Sequence, residues 1–125
     1  MVKILLIEDD PLMVRLYKKI FTFEKFQVEI ATSGQEGLKK AKSSKPALIL
    51  LDIMMPKMSG LEVLDKLKAD PSLKKIPVVT LTNLASENDK KAALSKGAVK
   101  HIIKSEYEPK QVVDIIRGIL GKQRK

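Results

Sequence analysis

The chain has 125 residues, 44% of them hydrophobic, with no cysteine and a formal net charge of +9 from 24 Lys and Arg against 15 Asp and Glu. That length supports one domain with one core. The lack of cysteine excludes disulfides and any thiolate metal site, which suits the cytoplasm.

The elements alternate along the chain. Val2–Ile7 reads as a short buried strand, and Asp10-Pro11 then opens a helix with a good N-cap and a proline at the first helical position. Leu12, Leu16, Ile20 and Phe23 are expected to form its buried stripe, with Met13 and Tyr17 beside it. Gln27–Ala31 fits a second strand. Ser33-Gly34-Gln35-Glu36 is a capping box that leads a helix to about Lys42. Ser43-Ser44-Lys45-Pro46 ends it, and a third strand runs to Asp52.

Met54–Gly60 reads as a loop, and Ser59-Gly60-Leu61-Glu62 as a second capping box, with Leu61, Leu64 and Leu67 on one side of its helix. Asp70-Pro71-Ser72 turns the chain toward a fourth strand at Val78–Leu81. Ser86 to Lys96 reads as a helix closed by Gly97 in a left-handed conformation. Val99–Ile103 is the fifth strand, and Pro109 begins a last helix with Val112, Val113, Ile116 and Leu120 facing inward. One domain over 1–121 is expected, with 122–125 as a frayed basic tail.

Strands this short and aliphatic belong in a parallel sheet buried on both faces, and short connections with right-handed crossovers place helices on both sides. The fold class is therefore α/β, a doubly wound (βα)5 sheet. No linker, repeat or low-complexity segment interrupts it. Glu8 breaks the apolar start, which has no small-residue cleavage site, and no apolar run nears membrane-spanning length. Neither a signal peptide nor a membrane partner is expected.

The positive charge raises the question of nucleic acid. Yet it is mostly lysine, with arginine only at Arg15, Arg117 and Arg124, and aromatic residues make up 4%. Base stacking and bidentate recognition are poorly supplied, so the lysines read as a solvated coat.

Four strands each end on a residue that can handle phosphate or metal: Glu8 and Asp9, Asp52, Thr82, and Lys104. In a doubly wound sheet ligands bind at the carboxyl ends of the strands. Carboxylates crowded there need a cation or a raised pKa, and Mg2+ suits oxygen ligands while keeping waters. Asp52 could attack phosphorus as a carboxylate nucleophile, with Lys104 pairing a phosphoryl oxygen and Thr82 donating a hydrogen bond. Each residue alone has a plainer reading: a helix cap, a strand-end hydroxyl, a surface lysine. Their order at successive strand ends is what distinguishes them.

Over essentially its whole length the sequence resembles the receiver domains of two-component response regulators, in a chemotaxis-type stand-alone layout. Ile4-Leu5-Leu6-Ile7-Glu8-Asp9-Asp10 and Leu51-Asp52-Ile53-Met54-Met55-Pro56-Lys57-Met58-Ser59-Gly60 carry the resemblance. Pro77-Val78-Val79-Thr80-Leu81-Thr82 and Gly97-Ala98 through Lys104 complete it. The resemblance implies a flavodoxin-like strand order 2-1-3-4-5 and Asp52 as phosphoacceptor for a phosphohistidine on a histidine kinase or phosphotransfer protein. Asp9 would be a direct Mg2+ ligand, Glu8 would act mainly through water, and the Met54 backbone carbonyl would be a further ligand.

Thr82 and Lys104 would sense the phosphoryl group, with Thr82 and His101 at the switch positions. Output would pass through the face of the fourth helix, fifth strand and fifth helix to an unspecified protein. The implied molecule is a monomer, with a phosphorylation-linked dimer as the alternative. It is no enzyme beyond self-phosphorylation and slow self-dephosphorylation. Met54 and Leu84, the apolar residues bordering the approach of water, imply a long-lived phosphoryl form.

Three positions depart from the family pattern. Asn83 replaces a small residue, Ser105 follows Lys104 where proline with a cis bond is usual, and His101 stands where an aromatic switch residue is common. His101 alone reads as polar surface. The rivals are a phosphorylation-independent receiver-like scaffold, a small-molecule-binding flavodoxin-like module and an aspartate-nucleophile phosphatase. The module should carry glycines or hydroxyls after the first strand, where Glu8-Asp9-Asp10-Pro11 stands. The phosphatase should carry an Asp-x-Asp motif there.

Overall fold

A computed structural model describes residues 2–83 and 87–123. Five strands, β1 (Lys3–Ile7), β2 (Gln27–Ala31), β3 (Leu48–Asp52), β4 (Val78–Thr82) and β5 (Lys100–Ile103), form one parallel sheet in the order β2-β1-β3-β4-β5. The helices are α1 (Pro11–Phe23), α2 (Gly34–Ser44), α3 (Gly60–Ala69), α4 (Glu87–Ser95) and α5 (Pro109–Gln123), with a 3₁₀ turn at Lys104–Glu106. This is the flavodoxin-like order, and no described helix is long and apolar enough to cross a membrane. Helix α5 continues to Gln123, past the start expected for the tail; Arg124 and Lys125 lie outside the described residues.

Side-chain alternation divides the core. Ile4, Leu6, Leu48, Leu50 and Ile102 pack with Tyr17 and Phe21 of α1 and Val112, Val113 and Ile116 of α5. Leu5, Ile7, Ile49, Leu51 and Val78 pack on the other face with Ala41 of α2, Val63, Leu64 and Leu67 of α3 and Ala93 of α4. Both β3 and β4 are buried along their whole length, so each residue faces one cluster or the other. A buried aliphatic side chain contributes about 1.5–3 kcal/mol, which fixes this register against a one-residue slip.

The caps follow the sequence signals. Asp10 Oδ1 accepts from the Leu12 N–H at 3.0 Å, and Ser33 and Ser59 accept from the N–H groups of Glu36 and Glu62. Gly97 has φ +108°, the left-handed region expected after α4. The Ser86 cap falls outside the described residues.

Helix α1 corrects the sequence reading. Leu12 is 69% exposed, Leu16 44% and Phe23 77%, while Tyr17 and Phe21 are fully buried and Met13 and Ile20 pack beside them. The helix carries two apolar stripes, and periodicity alone cannot choose between them. Tertiary packing selects the larger residues: Phe21 meets Phe26 edge-on with centroids 5.6 Å apart, and Tyr17 leans on Phe21 at 6.1 Å.

Candidate phosphoryl and metal site

Register brings the strand ends together. Ile7 pairs Leu51, so Glu8 emerges next to Asp52; Thr82 pairs Ile103, so Lys104 emerges one step beyond it. Alternation then sorts the side chains. Glu8, Asp52 and Lys104 continue the face of Leu6, Leu50 and Ile102, above Tyr17, whereas Thr82 continues the face of Thr80 and Val78.

The loop after β3 is held close to Asp52. Gly60 donates its N–H to the Ile53 carbonyl at 3.2 Å, and a Cβ there would lie 2.4 Å from the Asp52 carbonyl oxygen. Only glycine allows α3 to begin so near the strand end. Met54 donates its N–H to Asp52 Oδ1 at 3.0 Å and leaves its side chain half exposed, while Met55 is buried in the core. Leu84, the second expected gatekeeper, lies outside the described residues.

Glu8, Asp9 and Asp52 offer carboxylate oxygens all within 4.8 Å of one another, with Glu8 and Asp52 buried and Asp9 partly open. The set is all oxygen and could hold a hard divalent cation. Lys104 already stands among these groups. Its buried ammonium donates to Glu8 Oε1 at 2.5 Å and lies 3.8 Å from Asp52 Oδ2. Thus in this state Lys104 engages Glu8 more closely than Asp52. Burial pushes the Glu8 carboxyl up to about 7; a hydrogen bond shared with Asp52 adds to the rise and the Lys104 contact opposes it. Glu8 Oε2 also accepts from the Asp10 N–H at 3.3 Å.

Sequence reasoning missed Tyr17. Its phenol is pushed up to about 12 by burial first and then by the charges of Glu8 and Asp52, so it lies within the field of the acidic cluster. Phasing α1 on Met13 and Tyr17 would have revealed it.

Thr82 is fully buried at the end of β4, and Asn83 next to it is exposed. The Lys104–Ser105 bond is trans, since the described residues contain no cis peptide bond, and the 3₁₀ turn starts at once from Lys104. His101 is not surface. It is 8% exposed, its Nδ1 lies 2.7 Å from Thr80 Oγ1, and its Nε2 is buried without a hydrogen-bond partner. Burial lowers its pKa, with Asp89 working against the shift and Lys90 with it. Its register with Thr80 across β4 and β5 makes the pair, which neither strand shows alone.

Comparison with known proteins adds three findings. The family model described as response regulator receiver domain matches residues 4–117. The response regulator ArlR of Staphylococcus aureus is 34% identical over 123 residues, 98% of this chain and 54% of the relative, so this chain spans about half the length of the curated relatives it matches. A CheY-like receiver domain protein of Methanospirillum hungatei is 32% identical with a TM-score of 0.90, covering 99% of this chain and 97% of that one. The signal receiver domain of a histidine kinase from Syntrophus aciditrophicus is 30% identical with a TM-score of 0.88, covering 98% and 92%.

Proposed function

This chain belongs to the response regulator receiver domain family, and from that premise we propose that it is a switch set by phosphorylation of Asp52. The observation that supports this best is the convergence of Asp52, Lys104, Glu8 and Asp9 from three separate strand ends onto one buried acidic site. The family makes the donor a phosphohistidine of a histidine kinase or phosphotransfer protein, acting in the cytoplasm.

In the step proposed, an Asp52 carboxylate oxygen attacks phosphorus, the phosphorus–nitrogen bond breaks and its electron pair returns to the donor imidazole. Asp52 Oδ1 already accepts the Met54 N–H, which fixes the rotamer and aims Oδ2 at the open side of the site. Lys104 has a short move to make, from Glu8 to a phosphoryl oxygen, and Thr82 donates from the adjacent strand end. Bound Mg2+ would supply charge neutralisation at the transferring phosphoryl group; Asp9, Asp52 and the Met54 carbonyl would hold it, with Glu8 acting through water. A new dianion beside Thr82 and Lys104 biases the ends of β4 and β5, so α4, β5 and α5 form the output surface.

The deciding experiment is incubation with a small phosphodonor and Mg2+, followed by intact mass. The wild-type chain should gain one phosphoryl group and Asp52→Asn none. Equal incorporation in the variant would remove Asp52 from the role. No incorporation into either protein, from the small donor or from a phosphorylated histidine kinase, would favour the scaffold reading.

A further inference from the structure

The output surface proposed above has a cleft whose chemistry indicates what it accepts, and the inference rests on that reading. The cleft, about 270 Å³, runs between α4 and β5 and is lined by Lys90, Leu94, Val99, Lys100, His101 and Ile103, with Glu106 and Tyr107 beyond the strand. Leu94 is 42% exposed and Val99 47%, so the floor is apolar and open. Lys90 and Lys100 are exposed, and among the described residues neither joins an ion pair. Glu106 is the carboxylate among the lining residues.

His101 is the element built into this cleft. It is more than nine-tenths buried, and its Nε2 is the side-chain polar atom left without a partner among the described residues. Thr80 Oγ1 donates to the Lys100 carbonyl at 3.4 Å and is therefore free to accept from the His101 Nδ1–H at 2.7 Å. That tautomer leaves a bare lone pair on Nε2. A buried acceptor of this kind costs about 1–3 kcal/mol until something donates to it. Sheet order adds a fourth feature: β5 is an edge strand, with its outer side unpaired in the sheet.

We propose that the α4–β5 cleft docks an acidic protein segment, which sets an apolar side chain on Leu94 and Val99, carboxylates on Lys90 and Lys100, and an N–H toward His101 Nε2. The cations call for an anion and the histidine calls for a donor. A peptide supplies both, through its side chains and its backbone, whereas a simple carboxylate or phosphate has no N–H to give. A second copy of this chain fits less well. Each copy carries a net charge of +9, and an isologous contact would bring the same unpaired lysines together.

The probe is a panel of short synthetic peptides on one scaffold, with a central Leu flanked by Asp and Glu, by Asn and Gln, or by Lys. They are added to the protein with and without beryllofluoride and Mg2+, with anisotropy and the His101 ring 1H–15N spectrum as readouts. Carboxylate peptides should bind about tenfold more tightly than their amide counterparts. Lys90→Gln and Lys100→Gln should each erode that preference, and the Nε2 resonance should move on binding. Loss of binding in His101→Phe would add support, but the lysine variants decide the matter if that protein does not fold.

Binding without a carboxylate preference, binding untouched by both lysine variants, or a silent His101 ring would overturn the proposal. So would a concentration-dependent dimer that occupies the cleft. Equal peptide binding with and without beryllofluoride would keep the docking site and remove the switch. Amide-exchange changes in α4 and β5 with beryllofluoride, but no peptide binding, would keep the switch and remove the docking site.

Discussion

Two buried polar groupings lie within a few residues of each other along β4 and β5, on opposite faces of the sheet. On the α1–α5 face Glu8, Asp52 and Lys104 carry charge; on the other face Thr80 and His101 form a neutral hydrogen-bonded pair. The charged group is over-supplied with acid, since two buried carboxylates and the half-open Asp9 share one ammonium. The neutral pair is short of one donor. Each deficit points to something from outside, a cation in the first case and an N–H in the second. A buried polar group that the fold leaves incompletely satisfied is thus a statement about a ligand.

The largest test of this contrast is Lys104→Met. Removing one partner of a buried ion pair leaves uncompensated charge, at a cost of about 3–5 kcal/mol, so the metal-free variant should melt far below wild type in denaturant titration. Added Mg2+ should recover part of the loss. In wild type, Mg2+ at 100 times its dissociation constant should stabilise by about 2.7 kcal/mol, and Asp9→Ala should lose most of that. Identical melting of wild type in EDTA and in excess Mg2+ would refute the cation deficit.

A second test concerns what borders the charged group. Met54 is half exposed beside Asp52 and, like Leu84, offers no base or amide to orient water. Met54→Asn with Leu84→Glu should therefore speed loss of phosphate from labelled protein, by about 10²-fold or more where positioning help is restored. Wild-type decay within seconds, or no acceleration in the double variant, would remove the apolar gate.

On the neutral side, Thr80→Val strands His101 Nδ1 as well as Nε2. It should cost about 1–3 kcal/mol, less than Lys104→Met, by the same denaturant measurement. A loss equal to that of Lys104→Met would erase the distinction between the two groupings.

The smallest effect is on pH dependence. Burial holds the His101 pKa below its ordinary 6.5, so the folded protein binds fewer protons there than the unfolded chain. Its contribution is fully present above 6.5 and is lost as pH falls through the folded value. The Glu8 carboxyl, raised from 4.5 to about 7, slopes the other way, losing stability as pH rises across that interval. Subtracting the His101→Gln profile of stability against pH from that of wild type should isolate the histidine contribution. A difference profile that is flat, or that rises toward acid, would contradict the buried neutral ring.

The sequence determined the alternation of strand and helix, the capping residues and the residue types at each strand end. These are local properties: a Ser or Asp beside an exposed first turn, an aliphatic run too short for a helix, a glycine where α3 must start against Asp52. The site could be read in advance because strand ends in a parallel sheet share one edge, whichever strand pairs with which.

What the tertiary structure decided depends on which face meets which. Helix α1 had two apolar stripes, and contact with Phe26 selected the one carrying Tyr17 and Phe21. Lys104 could have reached Asp52 alone; the β1–β3 register set Glu8 beside Asp52, and Lys104 closes most tightly on Glu8. His101 looked like surface until pairing of β4 with β5 set Thr80 next to it and α4 closed over both. Spacing along a chain fixes how often a side chain returns to a face. Only packing between distant segments fixes what that face meets, and here that choice buried a lysine and a histidine.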